Sequence, residues 1–581
     1  MLSTSGPPHP RLPQLPSGHH LTAASVTTCG QQAATQQMSS RQVSHNHQLS
    51  TPAGQPLAKL SLEILSLVLE QLRYIDYRSL FLLRLVCRHF HSLATPAAYH
   101  TIELNDALLR PNAERVYPGA LDHVARFTRH VVIRSDLNPQ GVKRVLSATR
   151  RLSSIRWRYI SQRNRLPRLW LPSDILNSAR INADGTKITI EDLPLGGAQH
   201  DLDESYFDAT LTRHLVSLKL SISDPPLTTR PDSLKRLIMQ CPHLQTLHYE
   251  DLGIGTSFSF LEAERMPPVD DLVLKSYNWN HSPEEVAKHW DFSSIQSLKL
   301  VNMPVSNFLN SIYLPDFTSL HTLKVEDYGG HLQDMRPSAT RRLHDLVKHH
   351  VQALETLDIT CHTQIFGIDA IRKHGNTLRV LRFRDHVGFE DDGKPCPTLG
   401  VEDLVLLGAR MLFMHTLELD MDEAMCNPHD FLGVLCSFHS LHTLTLHVQT
   451  RIRPSQRVDP STDPDYEAAL ETFNYLVGLR KQKRPHVPWR CVTINVGGWR
   501  RAMVRRLGYE WKRRNEQGVF AERCFVLEKE VGDGRYGIRE EQASESPRSA
   551  GIFVFRHIAA SENNPKRLLE AYDLPTDPVV H

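Results

Sequence analysis

Apolar residues recur along this chain with two different periods. Between Leu60 and Tyr99 the sequence reads LSLEILSLVLEQLRYIDYRSLFLLRLVCRHFHSLATPAAY, the densest aliphatic stretch of the chain. From Leu62, apolar residues return at Leu65, Val68, Leu69 and Leu72, the rhythm of an amphipathic helix. Asp76 is placed to cap a second helix with Leu80, Leu83, Val86, Phe90 and Leu93 on its apolar side, and Pro96 is expected to stop it. Roughly forty residues of helix cannot bury this much aliphatic surface alone, so part of it must face another surface.

Beyond this stretch the period becomes two. Short strands are expected at Thr101–Leu104, Val131–Ile133, Ile155–Trp157 and Ile188–Ile190. A six-residue frame, L-x-x-L-x-L, then recurs nine times, as LVSLKL from Leu215, IQSLKL from Ile295 or LHTLTL from Leu441. Its central aliphatics fall at Leu218, Leu247, Leu272, Leu298, Leu323, Leu357, Leu381, Leu417 and Leu444, 24 to 36 residues apart. Helix-like stretches such as Pro231–Met239 and Ala339–His350 lie between them. The period matches leucine-rich repeats, whose units run to roughly 20–29 residues. A unit this small cannot bury its own apolar face, so neighbours must stack into a curved solenoid.

The frame also predicts which side chains stay outside. Central and last aliphatics face the core, and the residues beside them line the concave sheet. Lys219, His248, Lys299 and Lys324 make the middle of that face basic, with Asp358, Arg382 and Glu418 continuing it. A strip of this kind suits an acidic or phosphorylated peptide, and short polar residues with lysines also serve simply to keep an exposed sheet soluble.

A net charge of +3 over 581 residues gives no whole-molecule field for nucleic acid or membrane. The nine cysteines are scattered, with no CxxC pair, which points to free thiols in a reducing, intracellular compartment, cytoplasmic or nuclear. No signal peptide or membrane span is expected. Residues 499–515, WRRAMVRRLGYEWKRRN, read as one amphipathic helix with a basic outer face, a capping element more than a nucleic-acid site. There is no phosphate-binding loop, nucleophile turn or H-E-x-x-H helix, and Cys87, His89 and His91 point in different directions on a helix. No catalytic residue, cofactor or metal is expected.

The apolar helical stretch followed by leucine-rich repeats resembles the F-box proteins of the leucine-rich-repeat type common in fungi. The residues carrying the likeness are Leu60, Glu63, Ile64, Leu65, Val68, Leu72, Leu80, Leu85, Val86, Cys87, Arg88, Phe90, Leu93, Pro96 and Tyr99. The family's usual proline after the first leucine is Ser61 here, and a late tryptophan is Tyr99. Serine also starts a helix, as a cap. The resemblance implies a non-catalytic receptor whose F-box docks a Skp-type adaptor, and through it a cullin-RING ubiquitin ligase core, while the solenoid holds a protein substrate. It assigns adaptor contacts to Leu60, Ser61, Ile64, Leu65, Val68, Leu72, Leu80, Val86 and Cys87.

The expected fold class is therefore α/β, with F-box helices before a curved solenoid. Its divisions are a disordered segment at 1–56, the F-box at 57–100, irregular repeats at 101–210 and the solenoid at 211–448. A loop at 449–465, a helix/strand/helix cap at 466–530 and a loosely ordered tail at 531–581 complete it. The alternative from another class is a repeat scaffold without ligase function, its helical pair serving only as a cap.

Overall fold

The computed structural model describes residues 60–160, 175–194, 209–221, 231–250, 257–326, 334–389, 394–455, 462–498, 506, 508–530, 535–541 and 558–559. The segment 1–56 and most of the tail beyond 541 therefore lie outside the described residues. The chain divides into two compact units, residues 1–65 and 66–581.

Of the first unit, residues 60–65 are described, and they open helix α1 (Leu62–Ile75). Ser61 acts as its cap: its hydroxyl accepts from the Ile64 N–H at 3.4 Å, and its carbonyl from the Leu65 N–H at 3.0 Å.

In the second unit, the expected second helix is two. Asp76 caps α2 (Tyr77–Leu83) by accepting from the N–H groups of Arg78 and Ser79. After a turn closed by Leu82 and Leu83 carbonyls, Cys87 caps α3 (Arg88–Tyr99) with its thiol on the Phe90 N–H. Pro96 does not end the run but sits inside α3, which continues to Tyr99. Being exposed and near the last turn, it removes one helical hydrogen bond whose carbonyl water can reach. Leu69, Leu80, Ala94 and Ala98 form a small core, with Leu72, Phe81, Leu83, Leu93 and Tyr99 packed on it. Tyr77 donates to the Ala98 carbonyl at 2.9 Å and closes α2 on α3.

Among the described residues the body is a mixed α/β structure built on one 17-stranded sheet. Its strands lie side by side in chain order. From β1 (Thr101–Glu103) to β14 (Cys491–Val496) each pairs parallel with the next, and β15 (Arg523–Lys529), β16 (Tyr536–Glu541) and β17 (Ile558–Ala559) close it antiparallel. Helices occupy most of the connections between parallel strands, as in Pro231–Met239, Arg336–Asp345 and Pro464–Lys483. Parallel neighbours require such crossovers.

The nine central leucines fall in one row. Leu218 pairs with Leu247, Leu247 with Leu272, and so on through Leu298, Leu323, Leu357, Leu381, Leu417 and Leu444. All are at most 1% exposed and belong to a single continuous core. The weak strands of 101–210 extend the same sheet as β1, β2 (His130–Arg134), β3 (Ser154–Arg158) and β4 (Lys187–Pro194).

Two C-terminal expectations are corrected. Of the expected helix over 499–515, residues 499–505 and 507 lie outside the described residues; Arg506 is not helical, and the described helix runs Tyr509–Glu516 with Gly508 as its N-cap. Trp511 buries against Ile452 and Ala521 there. Part of the expected tail is strand β16, where Arg539 lies between Glu528 and Glu541.

Candidate functional site

Two surfaces collect the residues singled out by sequence. The first is the apolar exterior of the helical stretch. In the first unit Leu62 and Ile64 are exposed, Ser61 caps α1, Leu60 is half-buried and Leu65 is buried. In the second, Leu67, Val68, Tyr74, Ile75, Tyr77, Leu82, Leu85 and Val86 are all exposed. Among the described residues of 66–581, eighteen large apolar side chains are exposed, and these eight fall within twenty consecutive positions. Isolated exposed apolar residues are ordinary, whereas a local concentration of them marks a surface that is covered in use.

The assigned residues therefore separate. Ile64, Val68 and Val86 lie outside, at 48%, 47% and 65% exposure. Leu80 is fully buried and Leu65 is 3% exposed, so neither presents a surface to a partner. Leu72 is half-buried and packs on the Leu69–Leu80 core. Cys87 is exposed, its thiol engaged as a helix cap. The sequence pattern passed over Tyr74, Ile75, Tyr77 and Leu82, because Asp76, Arg78, Ser79 and Arg84 interrupt the apolar run there.

The second surface is the polar face of the sheet. Pairing sets Lys219 beside His248, Val273, Lys299, Lys324, Asp358, Arg382, Glu418 and Thr445 in turn, one from each strand. The structure brings these residues together, but the strip is not a free basic one. Lys219 pairs with Glu191 at 3.5 Å, and Arg158 reaches the same carboxylate at 3.3 Å. His248 lies 2.7 Å from Asp271. Lys324 contacts both Glu326 and Asp358, the latter at 3.1 Å. Arg382 then bridges Asp358 at 3.1 Å and Glu418 at 3.2 Å, and Glu418 meets His447 at 2.7 Å. Among the described residues Lys299 makes no such ion pair.

This alternation has electrostatic consequences. Burial alone would raise the Glu418 carboxyl, but the His447 hydrogen bond and the charges of Arg382 and Arg384 outweigh it and hold the pKa at about 2. Burial, with Arg384 adding to it, pushes His447 down, so its imidazole is neutral at neutral pH. Burial would lower Lys324, yet Asp358 and Glu326 keep it above the usual lysine value. Apart from Lys299, the ladder is largely self-neutralised, and its pairs tie neighbouring strands.

Among the described residues no group of three or more His, Cys, Asp or Glu side chains is arranged to hold a metal, and no helix is long and apolar enough to cross a membrane. The eight described cysteines are free, and burial pushes the thiols of Cys241 and Cys436 up to about 12 and about 11. The chain matches neither a known protein-family model nor a curated protein.

Proposed function

We propose that this chain is the substrate-recognition subunit of an SCF-type ubiquitin ligase. On this reading α1–α3 are an F-box that docks a Skp-type adaptor, and the strand-and-helix array is a leucine-rich-repeat solenoid that holds a protein substrate. The observation that carries the reading is the split within the helical stretch. Leu69, Leu80, Ala94 and Ala98 suffice for an internal core, while Leu67, Val68, Ile75, Leu82, Leu85 and Val86 stay uncovered. A specific protein interface buries about 1,600 Å² in total around an apolar centre, and these side chains supply such a centre. The regular row of nine leucines supports the repeat assignment.

The mechanism is placement. The adaptor would link this chain to a cullin and a RING subunit carrying the charged conjugating enzyme. A substrate held on the array would then meet that enzyme at high effective concentration, with no reacting residue from this chain.

The second reading is a repeat scaffold whose helices cap one end of the array. It is favoured by the seat of α3: the Tyr99 ring lies 5.1 Å from the His123 ring, and Thr128 donates to the Tyr99 carbonyl at 2.9 Å. Co-purification of the full chain with a Skp-type adaptor and cullin separates the two. Stable capture supports the receptor, and its absence supports the scaffold.

A further inference from the structure

A second row of side chains runs along the sheet at the N-terminal ends of the strands. It comprises His321, Glu355, Arg379, His415, His442 and Arg490, each directly before its strand. The main chain fixes this row. The Arg379 carbonyl accepts from the N–H groups of His415 and Thr416 at 2.9 and 3.2 Å, and the His415 carbonyl from those of His442 and Thr443 at 3.2 and 3.0 Å. The His442 carbonyl accepts in the same way from Arg490 and Cys491. Side chains fixed like this recur at the strand spacing of about 4.8 Å, so Arg379 to Arg490 spans about 14 Å.

Within that span, the His415 and His442 rings are stacked, with centroids 5.5 Å apart and planes 3° from parallel. Each turns its Nδ1 to the hydroxyl of the next threonine, Thr416 or Thr443, at 3.0 Å. Neither Nε2 has a hydrogen-bond partner among the described residues. Arg379 and Arg490 flank the pair, both exposed and, among the described residues, without an ion pair. In this they resemble Lys299 and differ from Lys219, Lys324 and Arg382 of the ladder. Leu412 and Phe413, 46% and 58% exposed, stand on the turn into the strand that follows His415. Ser440 donates to the Leu412 carbonyl at 2.6 Å and ties that turn to the next.

We propose that this edge, formed by Arg379, His415, His442 and Arg490 with Leu412 and Phe413 beside them, binds an acidic segment of a protein partner that also carries an apolar anchor. The proposal rests on the reading of this chain as a receptor for protein substrates and names the chemistry of what it receives. Two permanent cations on so short a strip suit two carboxylates of a peptide. A nucleic acid of the same length brings more phosphates than they can neutralise. The exposed Leu412 and Phe413 give a peptide apolar contact, and an unpaired arginine presents a fork that fits a carboxylate.

The groups acting on the imidazoles make binding pH-dependent. Burial and then Arg379 lower the pKa of His415, while burial, His415, Arg490 and Arg480 lower that of His442. Glu355 stands immediately before Arg379 in the row, and His439 lies on the turn before His442. A bound carboxylate favours the imidazolium form, so binding takes up protons and strengthens as pH falls.

The test uses the full chain and a fluorescein-labelled octapeptide of glutamates with two leucines, read by anisotropy at low salt. We expect saturable binding, tighter at about pH 6 than at about pH 8. Arg379→Glu with Arg490→Glu should weaken it about tenfold or more at an unchanged melting temperature. His415→Ala with His442→Ala should remove the pH dependence. The proposal is overturned by no saturable binding to the wild-type chain, by equal binding to the charge-reversed variant, or by tighter binding of a single-stranded oligonucleotide. Adaptor capture by the charge-reversed chain is measured in parallel, so failure at this edge and failure of the receptor reading are told apart.

Discussion

The guanidinium of Arg480 lies 4.9 Å from the centre of the Trp489 ring, in a site that leaves Arg480 only 1% exposed. Its nitrogens donate to the carbonyls of Val487 and Cys436 at 2.8 Å, of Phe438 at 2.9 Å, and of Leu441. Trp489 in turn donates to the Leu476 carbonyl at 3.0 Å. One side chain thus joins the helix Pro464–Lys483 to the turn before β13 (Thr443–Val448) and to the segment leading into β14. Arginine remains charged here although burial lowers its pKa, because five donors in a fixed fork meet ready-made acceptors.

Arg480→Met keeps the apolar stem but strips donors from these carbonyls. It should cost about 3 kcal/mol, and Arg480→Lys, which cannot reproduce the fork, about 2 kcal/mol. Urea unfolding followed by tryptophan fluorescence checks both, and a loss under about 1 kcal/mol for Met would contradict this account.

Gly497, in the turn after β14, combines a φ of +65° with close approach, since an added Cβ would lie 2.2 Å from the Ala521 carbonyl oxygen. Gly185 has a similar φ of +62° but open space around it. Gly185→Ala should therefore cost about 1 kcal/mol for conformation alone, and Gly497→Ala clearly more, about 2–3 kcal/mol. Equal losses in the two unfolding midpoints would show that the contact with Ala521 is unimportant.

Acid should destabilise the fold in two stages. Burial, reinforced by Arg336 and His362, lowers the pKa of His386 from 6.5 to about 3. A lowered folded pKa gives stability that is full above pH 6.5 and is lost as pH falls towards 3. Glu418, held at about 2 against an ordinary 4.5, acts in the same direction over the lower window. His386→Phe should make the decline above about pH 4.5 shallower, and Glu418→Gln the decline below it. Urea titrations across this range measure both, and a wild-type stability that rises between about pH 7 and pH 5 would contradict the assignment.

How much of this was legible in sequence depends on the range of the interaction responsible. The row from Leu218 to Leu444 was legible because a buried strand position admits little but aliphatics at a period of two. Ile155–Trp157 and Ile188–Ile190 gave weaker signals because their side chains, equally buried, depart from the leucine frame. The break between α2 and α3 was hidden, since Leu83, Val86 and Phe90 keep helical spacing across it and only the Cys87 cap marks it. Cross-strand charge pairing was out of reach. Lys324 and Asp358 are 34 positions apart, and only the register of β9 (Thr322–Glu326) on β10 (Thr356–Cys361) makes them partners. In the same way Leu80 and Val86 look alike in sequence, yet the first fills the helical core and the second is 65% exposed.

Whether the exposed helical stretch docks an adaptor is read by calorimetry of a purified Skp-type adaptor binding to the full chain, comparing wild type with Val68→Asp and Leu85→Asp. Both side chains are exposed, at 47% and 81%, so neither change should alter the melting temperature, whereas Leu80→Asp in the core should unfold the helices. The wild-type chain should bind, and each surface variant should weaken binding about a hundredfold or more, as expected for apolar anchors at the centre of an interface. No binding by the wild-type chain, or full-strength binding by both folded surface variants, would contradict such docking.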